Sequence, residues 1–167
     1  EVATQEMNAI ANNTVEPTFN NTIVQQEKSE QLLRQVTAVY GIWSSTMNTP
    51  EFQEIEAKFE QKYTTYQNWK DQNIGLFNRI EKIYTSKEYN KLNPEAQRLV
   101  KEKYDYLIRN GARLNEEQKA TLSKYNQKLS AFFTQFSQNL LADESEKYII
   151  IDNKDDLSGL SPDLINA

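Results

Sequence analysis

Apolar and aromatic residues recur every three or four positions along most of this chain, a spacing that places them on one side of a helix. Only four glycines and four prolines occur among the 167 residues. So few helix-breaking residues favour a small number of long helices over many short strands joined by turns. The sequence therefore predicts an all-α fold, a helical bundle of long amphipathic helices with a short extended segment near the C-terminus.

The predicted helix ends carry residues that cap the backbone. Two starts have a capping side chain followed by a proline in the first turn, at Thr49–Pro50 and at Asn93–Pro94. Asn115 with Gln118 resembles a capping box, and Gly111 is placed to end a helix in the left-handed conformation. The helices predicted from these signals run over residues 2–11, from 20–22 to 43, from 50 through 69, 74–86, 94–109 and 115–142.

Three of these helices have apolar sides that we expect to be buried. The aromatic stripe of residues 52–69 has helical spacing in a chain of net negative charge, which favours core packing over a platform for stacking bases. The same expectation applies to the long helix that begins near residue 20 and to the last helix. The apolar positions of the three helices are Ile23, Leu32, Leu33, Val36, Val39, Tyr40 and Trp43; Phe52, Ile55, Phe59, Tyr63, Tyr66 and Trp69; and Leu122, Tyr125, Leu129, Phe132, Phe133, Phe136 and Leu140.

The periodicity changes near the C-terminus. Residues 147–152, KYIIID, are β-branched and aromatic, and residues 156–160, DLSGL, are typical of a turn. Because a strand needs a partner for its backbone, we expect KYIIID to pair with a segment near Leu157 or with a strand beyond Ala167. The predicted organisation is a helical domain over residues 1–145 and a short strand and turn over residues 146–167.

The residue types that usually carry catalysis are scarce. The chain has no histidine and no cysteine, which excludes a His-Glu-x-x-His zinc helix, a Ser-His-Asp triad and thiolate chemistry. In the acidic segment DNKDD, Lys154 and Leu157 occupy positions where an EF-hand needs an oxygen ligand and a glycine. We therefore predict no catalytic, cofactor-binding or metal-binding residue. The carboxylates considered for such roles are Glu51, Glu54, Glu56, Asp152, Asp155 and Asp156.

Charge and hydropathy exclude two further classes of partner. The net charge is -5 and no basic run is present, so we expect no nucleic-acid surface. No stretch of about 18 apolar residues occurs, and we expect no membrane span. The first residue is Glu1, from which we expect a processed protein or a segment of a longer one. The compartment stays open between cytoplasm and periplasm.

Five short motifs resemble one family of peptidases. Together, in this order, they resemble the N-terminal region of the thimet oligopeptidase family of zinc metallopeptidases, in its peptidyl-dipeptidase (dipeptidyl carboxypeptidase) and oligopeptidase A branch. One departure is visible, because the family usually has Gly-Leu-Pro where this chain has Gly159, Leu160 and Ser161. The motifs are EPTFNNTI (16–23), LNPEAQRLV (92–100), RNGARLNEEQK (109–119), FSQNLLAD (136–143) and DLSGLSPDLI (156–165).

The resemblance implies a non-catalytic domain of an enzyme that hydrolyses oligopeptides. It would form one wall or lid of a channel that admits short unfolded peptides, and its partner would be the C-terminal catalytic part of its own chain. Zinc would bind to that part, and no cofactor to this one. Alone, the domain is expected to be inactive, to expose apolar surface and to self-associate weakly. Whether the enzyme would act as an exopeptidase or an endopeptidase is left open.

Two other functions remain as alternatives. The first is a stand-alone helical interaction module that binds a partner helix in an apolar groove. The second is a small enzyme that uses only carboxylates, which the absence of histidine disfavours. A terminal strand without an obvious partner favours the peptidase domain over the interaction module.

Overall fold

The computed structural model describes residues 1–46, 49–147 and 149–166 and shows an all-α fold, as predicted. No described helix is long and apolar enough to cross a membrane. A π-helical turn at Phe19–Val24 and 3₁₀ turns at Tyr89–Lys91 and Lys154–Leu157 accompany the α-helices. The α-helices are α1 (Val2–Ala11), α2 (Gln25–Lys28), α3 (Gln31–Thr46), α4 (Pro50–Asp71), α5 (Ile74–Tyr84), α6 (Pro94–Arg109), α7 (Glu116–Glu146) and α8 (Pro162–Asn166).

The described chain forms two compact units, residues 1–134 and residues 135–167. In the first unit the core lies between α5, α6 and the π-helical turn. Helix α5 repeats apolar residues at intervals of three and buries Phe77, Ile80 and Ile83 there. Removing such side chains from water is the main stabilising contribution to this unit. The buried residues of this core are Ile23, Phe77, Ile80, Ile83, Val100, Leu107 and Ala112, and a smaller cluster contains Met7, Ile10 and Leu76.

The predicted caps are present. The side chains of Thr49 and Asn93 accept hydrogen bonds from backbone N–H groups in the first turns of α4 and α6. Asn115 and Gln118 form the reciprocal bonds of a capping box, at 2.9 and 3.1 Å. After α6, Gly111 adopts φ 93°, the left-handed conformation that its position predicts. Local sequence therefore determines where these helices begin and end.

The prediction of one long helix from residues 20–22 to 43 is wrong. This segment is divided into the π-helical turn, α2 and α3, because the backbone leaves the helical conformation at Ser29 and Glu30. Ser29 is extended, and Glu30 has φ 60°, a left-handed conformation that is uncommon for a non-glycine residue. Contacts from distant residues hold Glu30 in this conformation, so the break has no local sequence signal.

The predicted burial of two apolar helix sides is also wrong. In α3 no residue is fully buried, and Leu32, Val39 and Trp43 are about half exposed. On α7 the side chains of Phe132 and Phe133 are 70% and 68% exposed. The aromatic stripe of α4 is partly buried, because Phe52 and Phe59 pack against rings of α3 and Trp69 packs against the smaller buried cluster. Helical spacing identified the apolar sides correctly but not whether protein covers them.

The second unit contains the end of α7, an irregular segment, a 3₁₀ turn and α8. The predicted strand does not form in its described part, Lys147 and residues 149–152, which have no regular secondary structure; Tyr148 lies outside the described residues. A strand needs a neighbour for its N–H and C=O groups, and the turn near Leu157 is 3₁₀-helical rather than extended. Ile149 is 90% exposed. The division between predicted domains at residues 145 and 146 stays a prediction.

Candidate functional site

Helix α7 contacts α4 in the first unit through a row of polar side chains. The Asn126 side-chain amide donates to Asn68 Oδ1 at 2.6 Å, and the Thr64 hydroxyl donates to Ser130 Oγ at 2.9 Å. Such bonds fix the rotation of α7 about its axis without covering its apolar side. The residues of this row are Thr64, Thr65 and Asn68 of α4 and Asn126, Gln127 and Ser130 of α7.

We call the apolar side of α7 in the first unit the α7 face, formed by Tyr125, Leu129, Phe132 and Phe133. Its four side chains are between 51% and 70% exposed. Their spacing of four, three and one places them on one side of the helix. In the second unit, Phe136 and Leu140 of the same helix are exposed as well. Clustered exposed aromatic residues of this kind are typical of a surface that binds another protein segment.

The first unit also contains a cavity of about 350 Å³. Apolar side chains from α1, α5 and α6 line part of it, and Met7, Leu76 and Ile80 are among the buried ones. Charged residues from α2 to α4 and α6 line the rest. The polar residues at the cavity are Gln26, Glu27, Glu30, Arg34, Lys70, Asp71, Glu102, Lys103 and Tyr106.

Glu30 links three helices at the wall of this cavity. Its backbone N–H donates to Glu6 Oε2 of α1 at 2.7 Å. Its carboxylate Oε1 accepts hydrogen bonds from the Tyr66 hydroxyl at 2.6 Å and from Lys70 Nζ at 3.0 Å. The Glu30 and Lys70 side chains are only 14% and 21% exposed. Burial and the Glu30 carboxylate raise the pKa of Tyr66, so its hydroxyl remains protonated as a donor.

Asp71 is the most buried charged residue at the cavity, with 7% of its surface exposed. Its Oδ2 accepts a hydrogen bond from the Tyr106 hydroxyl at 2.9 Å. Its Oδ1 has no hydrogen-bond partner among the described residues, and the same holds for Gln26 Nε2. Burial raises the pKa of Asp71, although Tyr106 and Lys70 oppose that shift. Burial and Asp71 raise the pKa of Tyr106 to about 12.

Arg79 binds two side chains of one of the five motifs. This guanidinium, 5% exposed, lies beneath the segment that carries EPTFNNTI. It donates to Asn21 Oδ1 at 2.8 Å, to Thr22 Oγ1 at 3.2 Å and to two backbone carbonyls. No sequence signal indicates that Arg79 is buried, since a lone arginine on an amphipathic helix is usually exposed. Its role here is to hold the motif against α5.

The carboxylates considered from sequence do not come together. Glu51 and Glu54 are exposed on α4, whereas Glu56 is buried. In the second unit Asp152, Asp155 and Asp156 are all exposed. Within the described part of the chain, no group of three or more acidic residues is arranged to hold a metal ion. The prediction that no catalytic or metal-binding residue is present stays a prediction.

Two curated proteins resemble this chain over nearly its whole length. Dipeptidyl carboxypeptidase of Salmonella typhimurium is 31% identical over 158 residues, which are 95% of this chain and 23% of that protein. Dipeptidyl carboxypeptidase of Escherichia coli is 31% identical over 156 residues, 93% of this chain and 23% of that protein. No protein-family model matches the chain. The chain therefore spans about a quarter of the length of the curated relatives it matches.

Proposed function

We infer that this chain belongs to the thimet oligopeptidase family, and we propose that it is the non-catalytic N-terminal domain of a zinc-dependent peptidyl-dipeptidase, the activity for which its two curated relatives are named. The observation that supports this most directly is 31% identity over 95% of the chain. In this proposal the chain folds as a helical domain over residues 1–145, and residues 146–167 connect it to the catalytic part. The whole enzyme would hydrolyse peptide bonds in oligopeptides.

Zinc does not fit this chain. Structural and catalytic zinc sites use histidine and cysteine together with carboxylates, and neither histidine nor cysteine is present. The described carboxylates also form no cluster suited to a metal. We therefore place zinc in the part of the enzyme that lies outside this sequence and assign no catalytic step to the residues described here.

The α7 face supports a docking role within that enzyme. Polar bonds to α4 orient α7 so that Phe132 and Phe133 point away from the first unit's core. Burying a fully exposed phenylalanine stabilises an interface by about 1.5–3 kcal/mol. The relatives are about four times as long as this chain, and most of their length is available to cover such a face. We propose the catalytic part of the same polypeptide as the occupant of the α7 face.

This arrangement would give the domain a steric role. A helical wall packed beside the catalytic part would narrow the entrance to the substrate channel and exclude folded proteins. Substrates would then be selected by their size rather than by specific chemical contacts. Movement of such a wall would also control product release. Short unfolded peptides would be the substrates that pass. The wall role rests on the family relationship together with the exposed α7 face.

The gene tests the first part of the proposal. We expect the reading frame to continue well beyond Ala167 and to encode a His-Glu-x-x-His motif with a downstream glutamate. A stop codon close to Ala167 would overturn the peptidase assignment. It would leave a helical module that uses the α7 face to bind another protein or a second copy of itself.

Substitution tests the docking role in the full-length protein. We expect Phe132→Ser combined with Phe133→Ser to lower peptidase activity and to increase amide hydrogen exchange in the covering segment. Val15→Ser is the matched control, because Val15 is 63% exposed in the first unit and lies outside α7. Equal activity and exchange in the double variant and the control would contradict docking on this face.

A further inference from the structure

The cavity beside Glu30 has the composition of a small-molecule site. Its volume of about 350 Å³ lies at the lower end of the range for ligand pockets, about 300–1,000 Å³. Met7, Leu76 and Leu107 contribute buried apolar surface, and a few polar groups from other helices meet there. An apolar wall with few converging polar groups is the usual arrangement for a site that binds a small organic ligand.

Ion pairing at the cavity leaves one carboxylate, Asp71, without a direct ion-pair partner among the described residues. Glu30 pairs with Lys70 at 3.0 Å. Glu27 pairs with Lys103 at 2.7 Å, and Glu102 pairs with Arg98 at 2.7 Å. Asp71 forms no direct ion pair with any described residue, although only 7% of its surface is exposed. The Lys70 charge lowers the pKa of Asp71 from a distance, but burial of a carboxylate without a direct ion pair remains costly, and a cationic partner would stabilise its charged form.

Two buried polar atoms at the cavity define the chemistry of the missing partner. Asp71 Oδ1 is an acceptor without a donor, and Gln26 Nε2 is a donor without an acceptor, among the residues described. Leaving such buried groups unsatisfied destabilises the folded protein. A ligand that combines an ammonium group with a carbonyl oxygen would offer a donor to the first atom and an acceptor to the second. The apolar wall requires that this ligand also carry an aliphatic group.

Backbone strain at the cavity wall is an independent observation. Glu30 is the described non-glycine residue with positive φ, and three side chains, Glu6, Tyr66 and Lys70, hold it there. Residues held in sparsely populated conformations concentrate at ligand sites, where the surrounding contacts maintain them. The strain therefore coincides with the unpaired buried atoms in one cavity.

We propose that this cavity binds the amino-terminal residue of an apolar peptide, with its ammonium group at Asp71, its carbonyl oxygen at Gln26 and its aliphatic side chain against Met7 and Leu76. Both Asp71 Oδ1 and Gln26 Nε2 are shielded from solvent, so a lining side chain must move when the ligand enters. Tyr106 is the group expected to move, since it is 50% exposed and covers Asp71 through its hydroxyl.

L-Leucinamide is the minimal probe, because it carries the ammonium, the carbonyl and an isobutyl group. Binding to the full-length protein is read from saturable NMR shifts of methyl groups at Met7 and Leu76. We expect N-acetyl-L-leucinamide, which lacks the charge, and isoamylamine, which lacks the carbonyl, to bind at least about tenfold more weakly. Absence of saturation with leucinamide, or equal binding of the acetylated probe, would overturn the proposal.

Variants assign the two contacts. Asp71→Asn is expected to abolish leucinamide binding while the protein stays folded, because the substitution removes the charge that would bind the ammonium group but keeps the size of the side chain. Gln26→Met is expected to remove the advantage of leucinamide over isoamylamine. Asp105→Asn is the control, an acidic residue of α6 that pairs with Lys101 and does not line the cavity. Undiminished binding by Asp71→Asn would refute the assignment.

This test is separate from the proposed peptidase function. Binding is read directly at the cavity, so a protein without peptidase activity still reports on it. Conversely, an active peptidase whose cavity ignores leucinamide would refute the binding site and leave the family assignment intact.

Discussion

The Tyr66 hydroxyl donates a hydrogen bond of 2.6 Å to the carboxylate of Glu30, which joins the C-terminal half of α4 to one of the two residues between α2 and α3. Glu30 also binds Lys70 of α4 and Glu6 of α1. These contacts span 24 to 40 residues of sequence. A single glutamate in a left-handed conformation therefore helps to define how three helices meet.

We expect Glu30→Ala to lower the free energy of unfolding by about 3 kcal/mol, because it leaves the Lys70 charge and the Tyr66 hydroxyl without their partner. Urea denaturation measures the change. Glu88→Ala is the matched control, since Glu88 is 73% exposed and its pair with Lys91 should contribute less than about 1 kcal/mol. Similar losses in the two variants would contradict a structural role for Glu30.

Two glycine-to-alanine substitutions should have opposite effects. At Gly111, with φ 93°, an added Cβ would lie 2.7 Å from Leu122 Cδ2, so we expect Gly111→Ala to destabilise by about 1–2 kcal/mol. Gly41 lies inside α3 with nothing within 4 Å of an added Cβ. There we expect alanine to stabilise by about 0.5–1 kcal/mol. Thermal unfolding of both variants tests this, and a shift in the same direction would contradict it.

Arg79 is expected to be sensitive even to a conservative change. Arg79→Lys keeps the charge but loses the planar group that reaches Asn21, Thr22 and two carbonyls, and we expect a loss of about 2–3 kcal/mol. Arg98→Lys, at a side chain that is 79% exposed, should change stability by less than about 0.5 kcal/mol. Hydrogen exchange in residues 13–22 should increase in Arg79→Lys alone.

Asp71 should make stability depend on pH in a defined direction. Burial raises the pKa of Asp71 in the folded protein, so the folded state binds more protons than the unfolded state between the ordinary aspartate value, about 3.9, and the raised value. The stabilisation that protonated Asp71 contributes is fully present below its ordinary pKa. It is lost as the pH rises through the raised pKa of the folded protein. Asp71→Asn should therefore become more stable relative to the parent as pH rises. A constant difference from pH 3 to pH 8 would contradict the raised pKa.

Sequence predicted those parts of the fold that local interactions determine. Helix starts at Thr49 and Asn93 and the stop at Gly111 follow from side chains and backbone within one turn, and the structure has them. The break at Glu30 depends on residues of α1 and α4 instead. The helical spacing of residues 20–43 gives no information about those distant contacts.

The candidate sites were harder to predict from the sequence than the helix boundaries. Periodicity identified the apolar side of α7, but whether Phe132 and Phe133 are covered depends on what packs there. Asp71 ends α4 in a polar segment, and nothing adjacent in sequence indicates that it is buried. The sequence offers only an indirect indication that Asp71 is buried: Asp71 lies two residues before Asn73, where the next helix begins. The burial of Asp71 depends on the packing of α6 against α5, which the sequence alone does not show.

Peptide hydrolysis by the full-length protein tests the central claim most directly. The zinc-loaded protein is incubated with a short peptide blocked at its amino terminus, and the products are identified by mass spectrometry. We expect release of the C-terminal dipeptide, its loss on chelation and its return with added zinc. A folded, zinc-loaded protein that leaves the peptide intact, or that releases only single amino acids, would contradict the assignment.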